Sequence, residues 1–425
     1  MSGRTINMAV FIAVIFIIDL YVLNGLKGLS IKWKLLGKKF FRLFYLAASV
    51  VLTVGLLIVI HVKLGLMVRI FYIIGFFVLL IFKVCFAVIL LIDDLRRLLI
   101  YTTRKLKKPS PVTTPAEAGS DIPRSEFLLK AGLLAGAVPL AALKLSMKSG
   151  LYDYHVKRHQ LYLENLPKAF DGLRLAQISD IHSGSFFDKK AVLGGVEMLL
   201  KEKPDLVFFT GDIVNGVSEE LNGYLDIFSK VKAPLGVFST LGNHDYGDYA
   251  NWATPADQMK DRQKIVKAHE MMGWDLIRNS NRRLKVDGEE IGILGMENWG
   301  ELSRFPKYGR MDLTVKNTDD LPVKLLLSHD PSHWRAQVLP QYPQIDMVFA
   351  GHTHGMQMGI QTEHFQWSPV EYIYNEWAGF YREGKQQLYV NVGYGFLGFR
   401  GRVGILPEIT IFTLKAGTDP RLSKA

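Results

Sequence analysis

Cysteine is almost missing from this chain. Of 425 residues only Cys85 is one, and it lies inside an apolar run. No intrachain disulfide can form, and cysteine usage leaves no mark of the compartment. No internal repeat is visible. Positive charge is missing where nucleic-acid binding would need it. The formal net charge is +11, but residues 1–126 hold 17 of the 51 Lys and Arg and only 6 of the 40 Asp and Glu. That segment therefore carries the whole excess, and residues 127–425 balance 34 basic against 34 acidic groups. A soluble part with no basic surplus lacks the electrostatic footprint of a DNA or RNA binder, so no nucleic-acid partner is expected.

Apolar sequence is what the chain has in quantity. Hydrophobic residues make up 49% and the mean hydropathy is +0.13, high for a soluble protein and low for one wholly in membrane. A membrane portion joined to a soluble one is expected. Three long runs come first, at 6–23, 43–62 and 69–92. Each is long enough to cross a hydrocarbon core of ~30 Å at 1.5 Å per residue. Asp19 and Lys83 fall inside them. Asp19 is near one end of its run, from which it can snorkel, and Lys83 is expected to face a neighbouring helix.

The basic residues set an orientation. Lys27, Lys32, Lys34, Lys38, Lys39 and Arg42 lie between the first two runs. Arg96, Arg97, Arg104, Lys105, Lys107 and Lys108 follow the third, whereas the second loop has only Lys63 and Arg69. The positive-inside rule then places the first and third loops in the cytoplasm and the N-terminus outside. The basic excess also suits anionic headgroups, so membrane lipids are expected partners. Residues 109–123 are Pro-, Thr- and Ala-rich, a linker composition. The segment 123–145 resembles a twin-arginine export signal, with Arg124 alone where two arginines are expected and with an internal position. It reads as a fourth, short membrane helix or an interfacial one. If it crosses, the C-terminal part lies outside the cytoplasm, the placement preferred here; if it lies flat, that part is cytoplasmic. The division expected is 1–108 transmembrane, 109–149 linker and apolar segment, and 150–425 a soluble domain.

From residue 151 the pattern changes. Short apolar runs (HQLYLENL, GLRLAQISD, DLVFFTGD, LGVFSTLGN, EEIGILGMEN, VKLLLSHD, DMVFAGHTHG, QLYVNVGYG, EITIFTLK) alternate with helix-like stretches at 189–203, 219–231 and 255–272. Nearly all-apolar strands are those covered on both faces. The alternation predicts a layered α/β or α+β domain.

Five of these runs end in metal-ligand chemistry: Asp180 and His182; Asp212; Asn243, His244 and Asp245; His329; His352 and His354. Strands of such sheets bring their carboxyl ends to one edge, where ligands bind. Carboxylate, amide and imidazole together suit Mn, Fe or Zn. Asp180, His182, Asp212, Asn243, His329, His352 and His354 are seven ligands, too many for one ion. One shared carboxylate lets them fill two sites, and ions about 3.5–4 Å apart can clamp a phosphoryl displacement. Gly211, Gly242 and Gly351 precede the ligands, where close backbone approach favours a missing Cβ.

Together and in this order, these motifs resemble the calcineurin-like metallophosphoesterases, over roughly residues 150–415. The resemblance implies a four-layer α/β/β/α sandwich. It implies one metal at Asp180, His182, Asp212 and His354, and a second at Asp212, Asn243, His329 and His352, with Asp212 bridging. It implies that His244 protonates the leaving oxygen with support from Asp245. The ending GYGFLGFRGRVGILPEITIFTL resembles that of membrane-linked bacterial phosphodiesterases related to the twin-arginine-exported kind. On that match Arg402 faces the substrate phosphate; an equally open reading makes it a structural ion-pair partner. The activity implied is hydrolysis of a phosphodiester or pyrophosphate bond; a substrate carried in or near the membrane is expected because the anchor would concentrate it. More distant relatives include UDP-2,3-diacylglucosamine hydrolases. Rival readings are a phosphomonoesterase, a metal-binding scaffold without turnover, and a working membrane module in residues 1–100. Asp330 reads as a support for a metal ligand or a turn former. His155, His159, His269, His333 and His364 match no motif and read as surface or packing residues. The aromatic stretch 365–381 reads as a core or loop cluster, or else as the lining of a substrate groove.

Overall fold

The computed structural model describes residues 3–27, 39–62, 66–106, 126–145, 150–305, 307–362 and 365–420. The linker 109–123, Arg124 and His364 lie outside the described residues, as do Lys32, Lys34, Lys38, Lys63, Lys107 and Lys108. The chain divides into two compact units, Met1–Lys144 and Leu145–Ala425.

In the first unit each apolar run becomes a helix: α1 (Gly3–Lys27), α2 (Lys39–His61), α3 (Leu66–Leu106) and α4 (Glu126–Leu145). By length and composition, Lys39–Val59 and Gly75–Thr103 qualify to cross a membrane, and Val10–Leu26 is a shorter apolar stretch. The third helix outruns its apolar core. Its 41 residues span ~60 Å at 1.5 Å each, and its last turns carry the ion pairs Asp93–Arg96 and Asp94–Arg97.

Asp19 does not snorkel. It is 2% exposed, as is Lys83, and the two meet at 2.6 Å between α1 and α3. From α2, Ser49 Oγ donates to Asp19 at 2.5 Å and accepts from Lys83 Nζ at 2.6 Å. Lys83 faces a neighbouring helix as expected, and Asp19 is the reason. A charge among apolar helices is tolerated when paired and hydrogen-bonded. Lys83→Met alone leaves the carboxylate unpaired and is expected to cost about 3–5 kcal/mol. The double change Asp19→Leu/Lys83→Met is expected to cost much less. Denaturation of the full chain in detergent checks this; equal losses in the single and double variants would refute it.

The second unit has fourteen strands among its described residues: β1 (His155–Leu163), β2 (Arg174–Ile178), β3 (Leu206–Phe209), β4 (Val237–Ser239), β5 (Asp275–Leu276), β6 (Ser280–Val286), β7 (Glu289–Gly295), β8 (Lys324–Leu327), β9 (Met347–Ala350), β10 (Ile360–Gln361), β11 (Gln366–Trp367), β12 (Gly379–Glu383), β13 (Gln386–Val390) and β14 (Glu408–Ala416). Two six-stranded sheets run β1-β14-β2-β3-β4-β5 and β12-β13-β9-β8-β7-β6. Between them lies a core that includes Leu175, Phe208, Leu325, Phe349 and Phe412. Burying such side chains stabilises by ~1.5–3 kcal/mol each. The outer face of the first sheet packs on α5 (Lys189–Lys201), α6 (Leu225–Phe228) and α7 (Pro255–Met272) through Val196, Phe228 and Ile265. The outer face of the second packs on Trp334 and Val338. The result is the four-layer α/β/β/α sandwich expected.

Local sequence explains the helix limits. The Asp188 carboxylate caps α5 by accepting from Ala191 N, and Thr254 with Pro255 starts α7, which Gly273 ends in the left-handed region. The stretch 219–231 is not one helix. It breaks into the 3₁₀ turn Ser218–Leu221 and α6, with Gly223 at φ +83° between them. Strands β2, β3 and β4 are mutually parallel, as are β8, β9 and β13. Their carboxyl ends share one edge in each sheet, and from that edge the ligand loops emerge.

Candidate metal centre

Cross-sheet hydrogen bonds bring the two edges together. Gln177 Nε2 donates to Ala350 O at 2.9 Å, and His352 N donates to both carboxylate oxygens of Asp180 at 3.0 Å. His329 Nδ1 meets Thr210 O at 2.7 Å. The loops turn sharply. Asp180, His182, Asp212, His352 and His354 all have positive φ, between 49° and 74°. Side chains with a Cβ adopt that region at a cost of ~1–3 kcal/mol each when the surroundings enforce it, and such strain gathers at functional sites. Gly211, at φ +97°, has no room for a side chain: a Cβ there would lie 2.6 Å from Gly242 N and 2.8 Å from His329 Nδ1.

Six of the seven expected ligands converge as two groups. Asp180, His182 and His354 offer ligand atoms within 4.8 Å of one another, and so do Asp212, His329 and His352. Asp212 Oδ2 stands between the groups, 3.5 Å from His182 Nε2 and 3.1 Å from His329 Nε2. A carboxylate in that position can serve both groups. Asn243 Nδ2 donates to Tyr249 Oη at 2.9 Å, which turns Oδ1 inward. His182 Nε2, His354 Nε2 and Asn243 Oδ1 are buried without a hydrogen-bond partner. Such orphans are costly unless something holds them. Such nitrogen and oxygen lone pairs fit divalent metal ions.

Three of the four candidate ligand imidazoles are kept in ligand form, whereas His329, against burial, is raised to about 10 by the Asp212 carboxylate beside it. Burial lowers His182 to about 3 and His352 to about 4, and holds His354 well below the ordinary value, with His182 and Arg402 adding to the effect. Burial raises Asp180 to about 7, with Asp212 adding to the rise and His329 opposing it. Against burial, the surrounding histidines, His329 foremost, hold Asp212 well below the carboxylate range. Outer contacts aim the rings. His182 Nδ1 meets Val214 O at 3.1 Å, and His352 Nε2 meets Tyr374 Oη at 2.8 Å. Tyr374 Oη also donates to Asp330 at 3.4 Å, and Asp330 accepts from Ser332 N and Oγ. Asp330 is thus both a support for a ligand and a turn former.

His244 lines a cavity of about 320 Å³ together with Asp212, Asn243, His352, Arg304 and Phe305. Its Nδ1 lies 2.7 Å from Asn215 O, which assigns the proton to Nδ1, and its backbone N–H donates to Asp212 Oδ1 at 2.8 Å. The Tyr249 ring lies tilted against that of His244, with centroids 4.4 Å apart. The expected support by Asp245 takes another form. Asp245 accepts from the backbone N–H groups of Asp212, Ile213, Val214 and Gly242. It holds the Asp212 loop, while a carbonyl orients His244.

Arg402 is not where a phosphate contact needs it. It is 1% exposed and donates to the carbonyls of Val392, Gly393, Gly395 and Ile405. It sits behind His354, with Nη2 3.3 Å from Nδ1. It is neither open to the cavity nor an ion-pair partner. The guanidinium that lines the cavity is Arg304, which no motif marks: SRFPK has no pattern that points to a site. His269 and His333 are packing residues held by Ser239 and Ser328. The 365–381 stretch is divided. Trp377 and Ala378 are core, Val370 and Tyr374 are core residues that also line the cavity, and Ile373 lines it from an exposed position.

Residues 173–356 match the calcineurin-like phosphoesterase family. The chain carries a calcineurin-like metallophosphoesterase domain. Residues 3–151 match a second model, described as the transmembrane domain of a probable calcineurin-like phosphoesterase with four transmembrane segments in its name. The metallophosphoesterase domain contains every expected metal ligand and leaves Arg402 beyond the matched residues. An uncharacterized metallophosphoesterase of Bacillus subtilis is 29% identical over 264 residues, 61% of this chain and 84% of that one. A transmembrane protein with metallophosphoesterase domain of Danio rerio is 28% identical over 266 residues, 60% of this chain and 56% of that one. The chain thus spans little more than half of that animal relative. An uncharacterized metallophosphoesterase of Campylobacter jejuni is 26% identical over 278 residues, 64% of this chain and 66% of that one.

Proposed function

We propose that this protein is a membrane-anchored hydrolase of phosphodiester or pyrophosphate bonds that uses two divalent ions, Mn, Fe or Zn. The first would be held by Asp180, His182, Asp212 and His354, the second by Asp212, Asn243, His329 and His352. The observation that carries this reading is Asp212 Oδ2 between His182 and His329, with His244 on the same cavity. When bound, the ions would supply water activated at neutral pH and positive charge for the phosphoryl oxygens. The chain supplies the rest. His244, with its Nδ1 proton held by Asn215 O, presents Nε2 as the edge that carries a proton to the departing alcohol. Asp245 keeps the Asp212 loop in place through four backbone N–H groups.

A single guanidinium, that of Arg304, stands among the described lining residues. That suits a singly charged diester better than a doubly charged monoester. The anchor would concentrate a substrate carried in the membrane, such as a pyrophosphate-linked glycolipid of the UDP-2,3-diacylglucosamine kind. With α1–α4 all crossing and the N-terminus outside, the domain would lie on the extracytoplasmic face. Protease accessibility in intact spheroplasts tests this, and full protection would place the domain inside.

The first assay compares bis-p-nitrophenyl phosphate with p-nitrophenyl phosphate, with Mn added. Faster release from the diester supports the reading; faster release from the monoester makes the protein a phosphomonoesterase. His244→Gln is expected to lower kcat by about 10²-fold on an alkyl ester. The loss should be much smaller on the nitrophenyl esters, whose leaving group departs without a proton. Equal losses on both would remove His244 from the role of acid.

A further inference from the structure

The cavity before the metal ligands has two kinds of wall. Arg304 is exposed, and its guanidinium lies 4.7 Å over the Phe305 ring. Phe305 in turn meets the His352 ring edge-on at 4.6 Å and packs, with Leu302, on the cluster of Tyr374 and Trp377. The arginine is therefore carried by an anchored loop beside a metal ligand. The Arg304 side chain hydrogen-bonds Tyr374, another residue of the cavity lining. Another part of the lining is apolar: Met356, Ile373, Leu397 and Phe399. Met356 is 45% and Ile373 47% exposed. Met356 is also held at φ +48°, a conformation that residues with a side chain rarely adopt. Apolar side chains left open next to a polar centre are characteristic of ligand sites.

We propose that this cavity is an amphipathic substrate cleft. Arg304 binds a non-bridging oxygen of the phosphate, and Met356, Ile373, Leu397 and Phe399 receive an alkyl or acyl chain of the ester. A guanidinium fork suits phosphate oxygens, and the apolar wall selects esters with hydrocarbon on the alcohol side. The substrate class is then a phosphodiester bearing an aliphatic chain. This rests on the phosphodiesterase reading and narrows it.

The test uses the full chain in detergent with Mn and two p-nitrophenyl phosphodiesters, one carrying a methyl and the other a hexyl group as second ester. Wild type is expected to show kcat/KM at least about tenfold higher for the hexyl ester, since each buried methylene adds to binding. Met356→Ser and Ile373→Ser should each lower that ratio severalfold. Both positions are half-exposed, so the fold should tolerate them, and metal content with circular dichroism verifies it. Arg304→Ala should lower kcat/KM for both esters by about tenfold or more, with Arg304→Lys recovering part of the loss. A wild-type ratio near one, or a ratio that neither serine variant alters, overturns the cleft. If turnover is then still Mn-dependent and lost in Asp212→Asn, the phosphodiesterase reading stands without it. Absence of Mn-dependent turnover of either ester overturns both.

Discussion

Asp212→Asn is expected to lower metal-dependent phosphodiester turnover on the order of 10³-fold or more. Asp212 belongs to one ligand group and faces the other. Its Oδ2 lies within 3.5 Å of one histidine from each, and its Oδ1 accepts the His244 backbone N–H at 2.8 Å. An amide keeps the shape and loses the charge. It also puts an NH₂ where, in the proposed site, an oxygen would face the metal ions. The surrounding histidines hold Asp212 ionised against full burial, so the charge is what the site is built around. The measurement is turnover of bis-p-nitrophenyl phosphate together with metal content per chain. Undiminished activity in this variant would contradict the proposed chemistry.

Gly351→Ala is expected to lower turnover to a similar degree without replacing any candidate ligand. A Cβ at that position would overlap Ser179 Oγ and Asp180 Oδ2. Asp180 is fully buried, and both of its oxygens accept from His352 N. It cannot yield without carrying His352 away. Overpacking of this kind costs about 1–3 kcal/mol of stability, but the larger effect is on the ligands, which must sit within a few tenths of an ångström of their places. Metal content should fall and circular dichroism should stay near wild type. Gly194→Ala on α5 is the control, since nothing lies within 4 Å of a Cβ there. Full metal content and activity in Gly351→Ala would show that the Gly351 backbone is not what positions Asp180.

Much of the second unit was legible in its apolar runs. All nine runs read as strands overlap one, most of them because a strand buried on both faces is apolar throughout. Those that escaped reading are mostly at the margins. β6, SNRRLKV, and β12, GFYRE, are the two edges of the second sheet and are largely half-exposed. Edge strands carry charge and lack the alternation that marks a one-sided strand. The two-residue β5 is too short to leave any pattern.

The sequence by itself determined which residues can bind metal. Ligand type, glycine spacing and position after an apolar run are local properties, and all seven candidate ligands follow strand ends. It likewise marked the four apolar segments of the first unit, because burial in lipid or against other helices requires length and hydropathy that no single contact supplies. Only the tertiary structure decided which groups meet. Asp180 and His352 are 172 positions apart, and nothing local states that one accepts the other's N–H. Asp245 turned out to hold a loop rather than His244, Arg402 to lie behind His354, and Arg304 to face the cavity. Asp19 and Lys83 neutralise each other across two helices. Each of these outcomes depends on the direction in which a charged side chain leaves its backbone. That direction is set by the packing of distant segments, through burial that charge cannot bear unpaired.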